Sequence, residues 1–279
     1  MSFLLDPLSF SFFQRALMAA LIVGILCPVL GSYVVLRGMA FLGDALAHII
    51  LPGVVIAFLT GIPLVIGALV MGVLTAFGIG ALSERDILRE DSAIGVIFAG
   101  AFALGIAMLS ATDGYAVDLT HFLFGNLLGV TTADLWTMFG LSLVVFLIII
   151  LFFKELLVVS FDPSLARTLR LPVRFYEYLL LVLIAITIVV ALNAVGISLM
   201  LAMIVTPAAA ASFLTRRLTS MMLIGAIIGA LSGLIGLYTS FYLNIASGPT
   251  VVLVATFIFG LVFLFAPERG VIYRRLGAA

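Results

Sequence analysis

The sequence predicts an all-α membrane protein, a polytopic bundle of about nine transmembrane helices. Of the 279 residues, 65% are hydrophobic and only 9% are charged, whereas about a quarter of the residues of a soluble domain are charged. The apolar residues form unbroken runs of roughly 20 residues, the length that crosses a bilayer as a helix. Strands of an outer-membrane barrel would instead alternate apolar and polar residues. A soluble globular protein is therefore excluded.

Nine spans can be placed, and we expect them to form a single transmembrane domain over residues 1–279. The apolar block at 176–215 is too long for one crossing of a hydrocarbon core about 30 Å thick, so we divide it by a tight turn near Gly196. Eight spans would remain if one short segment were re-entrant. The predicted spans are 11–36, 39–61, 63–83, 92–112, 134–153, 176–195, 196–215, 221–243 and 249–266.

The basic residues are distributed unevenly over the loops between these spans. Short cytoplasmic loops are enriched in Lys and Arg, whereas Asp and Glu have little influence on orientation. With the N-terminus outside, only Arg15 of the 13 Lys and Arg residues lies on the outer side. This pattern predicts an external N-terminus and a cytoplasmic C-terminus. A formal net charge of zero also argues against a nucleic-acid partner, which would require a basic surface.

Two of the longer connections lack the features of a functional site. Residues 84–91 form a charged cytoplasmic connector. Residues 113–133 lie outside and contain an apolar piece at 119–128 that is too short to span, so we expect an interfacial or re-entrant helix there.

The third long connection, at 154–175, predicts a short helix across the cytoplasmic face. The Asp162 carboxylate can cap the free amides of a helix, and Pro163 suits the first helical position. Pro172 ends the helix about two turns later. The helix carries Arg167 and Arg170.

Asp44 and His48 are the strongest candidates for chemistry. Asp44 is the only acidic residue well inside a predicted span, and an ionisable residue there is by default a functional candidate, since burying its charge is costly. His48 follows four residues later, on the same helical face, so one ion can touch both side chains. Carboxylate oxygen and neutral imidazole suit manganese, zinc or iron(II). The same two residues could instead form a structural pair that fixes helix packing.

Pro52 and Gly53 predict a helix kink beside this pair. Pro52 has no N–H group, so the carbonyl of His48 lacks its usual helical donor. That carbonyl is either a further oxygen ligand or the mark of a kink. Gly53 would allow another backbone to approach. Two side chains are too few for a metal site, but a two-fold pairing of the chain would bring two Asp and two His together.

A phosphate-binding loop is absent. The only lysine, Lys154, lies between Phe153 and Glu155, so no GxxxxGK[ST] motif exists. If ATP powers transport, a separate chain must hydrolyse it, and we do not expect this chain to be an enzyme.

Residues 35–53, which contain GDALAH, resemble the signature of the membrane permeases of ATP-binding-cassette (ABC) importers for manganese, zinc and iron. The segments 122–126, 206–209 and 247–250 support the resemblance, which covers essentially the whole chain. It implies the permease fold of the vitamin B12 and siderophore importers, in the plasma membrane of a prokaryote. It also implies that Asp44 and His48 contact the transported metal.

The same resemblance implies a set of partners. These are a second permease copy, two copies of an ABC ATPase and an extracytoplasmic metal-binding protein, with membrane lipid around the bundle. Manganese is the first choice of metal, zinc the next and iron a third, and no permanently bound cofactor is expected. The residues implied in coupling to the ATPase are Asp162, Pro163, Leu165, Ala166, Arg167, Leu169 and Arg170. Relatives usually have Gly at position 170.

Two other functions remain open at the level of the sequence. A secondary transporter or channel would move metal or protons without an ATPase and would use Asp44 and His48 as a proton relay. A membrane assembly or sensor subunit would use them only to hold helices together.

Overall fold

The computed structural model describes residues 6–83, 90–111, 127–267, 270 and 273. Over these residues the secondary structure is helical without strands, and nine helical segments are long and apolar enough to cross a membrane. The predicted fold class is confirmed. The helices are α1 Ser11–Leu36, α2 Ala40–Ile49, α3 Leu51–Thr60, α4 Leu64–Ser83, α5 Glu90–Ser110, α6 Thr132–Leu151, α7 Phe153–Phe161, α8 Pro163–Thr168, α9 Val173–Leu214, α10 Leu218–Leu243 and α11 Ser247–Phe265.

The long apolar block is divided where the sequence predicts. Gly196, inside α9, has φ 74° and ψ 175°, a backbone conformation that glycine adopts without the steric cost of a Cβ. It separates two candidate spans, Val173–Leu192 and Val195–Leu214. The charged connector at 84–91 and the predicted outer helix at 119–128 fall, except for their last two residues, outside the described residues.

Glycines allow the helices at the centre of the bundle to pack closely. In α1, Gly24 lies against the backbone of Gly229 in α10, and Gly31 lies against the carbonyl of Ile204 in α9. Small residues allow such an approach between membrane helices. The α1 span and the α2–α3 span are 72% buried, whereas those of α5 and α11 are only 17% buried. The helix pair with Asp44 and His48 thus belongs to the packed part of the molecule.

Most described arginines lie at one end of the bundle. Successive spans that cross a membrane alternate in direction, so the end of α1, the helices α7 and α8, the start of α9 and the turn before α10 share one side. We call this side the arginine-rich end. It carries Arg37, Arg167, Arg170, Arg174, Arg216 and Arg217.

Candidate functional site

Asp44 and His48 lie on the open face of α2. Six of the ten residues of this helix are buried, whereas the side chains of Asp44 and His48 are 37% and 27% exposed. Ala40 and the exposed ring of Phe41 continue the same face toward the arginine-rich end. In a single chain, the two polar side chains therefore open onto the surface of the bundle.

The imidazole of His48 is oriented by its own helix. Its Nδ1 atom lies 2.9 Å from the main-chain oxygen of Asp44. A carbonyl only accepts hydrogen bonds, so Nδ1 carries the proton and donates it. In the neutral ring the lone pair is then on Nε2, which is the state needed to bind a metal. The Oδ1 atom of Asp44 lies 3.8 Å from Nδ1, so the carboxylate and the imidazole lie on one side of the helix.

Two phenylalanines of α5 pack against the imidazole of His48. Phe98 and Phe102 are stacked, with ring centroids 5.8 Å apart. The His48 ring stands nearly perpendicular to both, at 5.8 Å from Phe98 and 5.3 Å from Phe102. Edge-to-face packing of this kind favours one ring orientation. Neither phenylalanine was predicted as part of the site; the only signal in the sequence is their four-residue spacing on one helical face.

The helix is interrupted just after His48. The predicted kink lies at Ile50, two residues before Pro52, where the single span Ala40–Thr60 divides into the helices α2 and α3. The Ile50 amide donates to the carbonyl of Leu46 at 3.2 Å and also contacts that of His48. Buried Gly53 lies against the backbone of Gly67 in α4.

The short helix α8 is fixed by its own ends. The Oδ1 atom of Asp162 accepts a hydrogen bond from the amide of Leu165 at 2.9 Å, and Pro163 occupies the first turn. Ala166 faces inward, whereas Leu165 and Leu169 are 47% and 56% exposed. The helix therefore presents apolar side chains, together with exposed Arg167, at the arginine-rich end.

The helix ends earlier than Pro172 would require. It stops at Thr168, because Arg170 turns into the left-handed region with φ 57°. The amide of Leu171 then donates back to the carbonyl of Ala166 at 3.0 Å, which is the Schellman closure. This conformation accounts for the glycine expected at position 170, since only glycine adopts it without strain.

The described residues of a single chain do not complete a metal site. Within the described ranges, no three His, Cys, Asp or Glu side chains are grouped so as to hold an ion. Asp44 and His48 are brought together by one helical turn, and the α8 residues lie apart from them at the arginine-rich end.

The chain is similar to known membrane proteins of metal transport systems over nearly its full length. It is 47% identical to the manganese transport system membrane protein MntC of Halalkalibacterium halodurans, with 98% of this chain and 94% of that protein covered. It is 37% identical to the chelated iron transport system membrane protein YfeD of Yersinia pestis, covering 95% and 89%.

Two solved structures are also similar to this chain over most of its length. PsaBC from Streptococcus pneumoniae, in complex with Fab, matches with a TM-score of 0.86, 38% identity and 98% coverage of both chains. A metal-chelate type ABC transporter in an inward-facing conformation matches with a TM-score of 0.73 over 90% of this chain and 85% of its own, at 16% identity, which shows the shared fold. The profile of the ABC 3 transport family matches residues 9–266. The chain is a member of the ABC 3 transport family.

Proposed function

We propose that this chain is the transmembrane permease subunit of an ABC importer that moves manganese into the cytoplasm of a prokaryotic cell. The similarity to a protein named for manganese transport, over nearly the whole of both chains, supports the proposal. The sequence has no phosphate-binding loop, so ATP hydrolysis belongs to a separate subunit. Residues 1–279 act as one transmembrane domain.

The metal passes Asp44 and His48 at a seam between two copies of the chain. The observation that carries this step is the exposure of both side chains on one face of an otherwise apolar helix. A carboxylate left against lipid would cost a few kcal/mol, so a second copy covers this face. Two-fold pairing places two carboxylates and two imidazoles around one passage. Because the site has only a small number of ligands, it binds the ion weakly enough to release it.

Manganese is favoured over zinc and iron by the relatives rather than by the ligands. Carboxylate and imidazole accept all three ions, and the general order of affinity favours zinc at such a site. Selection for manganese therefore lies upstream, in an extracytoplasmic binding protein that delivers only that ion. The relative named for chelated iron transport leaves iron as the second candidate for this chain.

The arginine-rich end faces the cytoplasm and docks on two ATPase subunits. The positive-inside rule supports this orientation, which places the N-terminus outside. Exposed Leu165 and Leu169 of α8 fit an apolar groove on the ATPase, and Arg167 fits an acidic rim beside it. Closure of the ATPases moves α8 and changes which side of the membrane reaches Asp44 and His48.

Metal analysis of cells tests the proposal. Cells that lack this chain are grown with manganese, zinc or iron limiting in turn, and we expect a loss of manganese accumulation alone. Co-purification of an ABC ATPase with the tagged chain is the second expectation. Unchanged manganese content, or uptake that persists without any ATPase, contradicts the proposal.

A further inference from the structure

An ion pair at the arginine-rich end links two segments that the proposed mechanism leaves unconnected. The Nη2 atom of Arg37 lies 3.7 Å from the Oε1 atom of Glu177, and the two side chains are 13% and 40% exposed. Arg37 follows α1 directly, and Glu177 lies in the second turn of α9. Neither side chain takes part in the metal site or in α8.

The Arg37 side of the pair is rigidly joined to the metal helix. The amide of Arg37 donates to the carbonyl of Tyr33, and the amide of Met39 donates to that of Val34, both at 3.0 Å. Gly38, with φ 72°, completes a closed helix end. Met39 alone separates Gly38 from α2, which begins at Ala40. A displacement of Arg37 is therefore passed to α2, which carries Asp44 and His48.

The Glu177 side is joined as tightly to α8. After the closure of α8 at Leu171, the amide of Val173 donates to the Leu171 carbonyl at 2.9 Å, and α9 starts there. No flexible linker separates the end of α8 from the helix that carries Glu177. A movement of α8 therefore shifts the Glu177 carboxylate.

The limited exposure of Arg37 makes the pair sensitive to such a shift. The Arg37 side chain is only 13% exposed, so little water can replace the Glu177 carboxylate as its partner, whereas Glu177 is 40% exposed. Arg37 also lies at the C-terminal end of α1, where the helix dipole favours a positive charge. The ion pair thus holds the end of α1 and the start of α9 at a fixed distance, so that a displacement of one segment displaces the other.

We propose that Arg37 and Glu177 are positioning residues for transport, whose ion pair passes the movement of α8 to the helix that holds the metal. This inference rests on the proposed roles of α8 and of the Asp44–His48 pair. The residues contact neither the metal nor ATP; they determine whether ATP-driven motion reaches the passage.

The test measures manganese transported per ATP hydrolysed. The complete complex of permease, ATPase and binding protein is reconstituted in lipid vesicles, with Arg37→Gln, Glu177→Gln and the charge swap Arg37→Glu with Glu177→Arg. We expect each single variant to lower the ratio about fivefold, a size typical of residues that carry coupling, and the swap to restore much of it. Arg217→Gln, an exposed arginine at the same end, is the matched control and should keep the parent ratio.

The ratio separates coupling from folding, because it is measured on assembled complexes and does not depend on their yield. A parent ratio in the single variants, or a swap that stays as low as they are, overturns the inference. If a single variant fails to assemble, Glu177→Asp replaces it, because this change keeps the negative charge but moves it away from Arg37. A parent ratio of manganese transported to ATP hydrolysed in this variant also overturns the inference. Asp44→Ala in the same vesicles tests the metal site separately: manganese uptake that survives this change would overturn the site while leaving the coupling result to stand.

Discussion

The helices α2 and α8 carry the two sets of residues to which we assign functions, and they are held in place in different ways. In α2, Asp44 and His48 depend on neighbours from elsewhere in the fold, namely the stacked rings of α5 and the closely packed α4 behind Gly53. In α8, the Asp162 cap and the closure at Arg170 lie within ten residues of each other. The proposed metal site thus combines a local Asp44–His48 contact with tertiary packing, whereas the ends of the proposed coupling segment are fixed locally.

This difference predicts how each region responds to substitution. A change near Asp44 would disturb the proposed ligands, which pack against residues of several helices. A change in α8 would alter only the exposed surface that we propose contacts the ATPase.

Removing a ligand should abolish transport. Asp44→Ala and His48→Ala are expected to eliminate manganese accumulation while leaving the chain in the membrane, because no other described side chain replaces either donor. The measurement is uptake of radioactive manganese, with membrane insertion checked by immunoblot. Asp134→Ala, which removes the capping box of α6 at a cost of about 1 kcal/mol, should retain uptake. Parental uptake in either ligand variant would rule the site out.

Changes in α8 should separate ATP hydrolysis from transport. In Arg167→Ala and Leu165→Ala, hydrolysis is expected to continue while manganese uptake falls about tenfold, within the usual range of coupling energies. Both rates are measured in the same vesicles. Ser164→Ala, also exposed on α8, is the control. Normal coupling in the Arg167 variant would count against the assignment of α8.

Removing a ring that packs against the His48 imidazole should raise the apparent KM for manganese without abolishing transport. Phe102→Ala removes one of the two rings beside His48, an interaction worth about 0.5–1.5 kcal/mol, so the apparent KM for manganese should rise severalfold at a nearly constant maximal rate. Phe139→Ala, on the exposed side of α6, is the matched control. An unchanged KM would show that the rings do not position His48.

The smallest effect is expected at the end of α8. Arg170→Gly relieves a left-handed backbone and should stabilise the protein by about 0.5–1 kcal/mol. Asp162→Ala, which removes the cap bond to the Leu165 amide, should destabilise it by about 1 kcal/mol. Thermal unfolding of the purified complex measures both. A lower Tm for Arg170→Gly would mean that the arginine makes contacts that outweigh its backbone strain.

The sequence predicted what depends on helical period, length and capping. The nine spans, the break at Gly196 and the shared face of Asp44 and His48 all follow from spacing along one chain. The start of α8 follows from Asp162 and Pro163. Nothing in the spacing indicated that Arg170 would adopt φ 57° and end that helix before Pro172, because arginine seldom takes this conformation.

Contacts between distant segments could not be predicted in the same way. Phe98 and Phe102 read as ordinary apolar residues until α5 is seen against α2, and Arg37 pairs with a glutamate 140 positions away. Such pairings are set by tertiary packing, which one sequence does not specify.

Direct detection of the ligand tests the central claim, that Asp44 and His48 bind the ion in transit. Electron spin echo spectroscopy of the assembled complex loaded with manganese should show coupling between the metal and an imidazole nitrogen. We expect this coupling to be lost in His48→Gln and kept in the Asp134→Ala control. Manganese bound with the same nitrogen coupling after His48→Gln would contradict the claim.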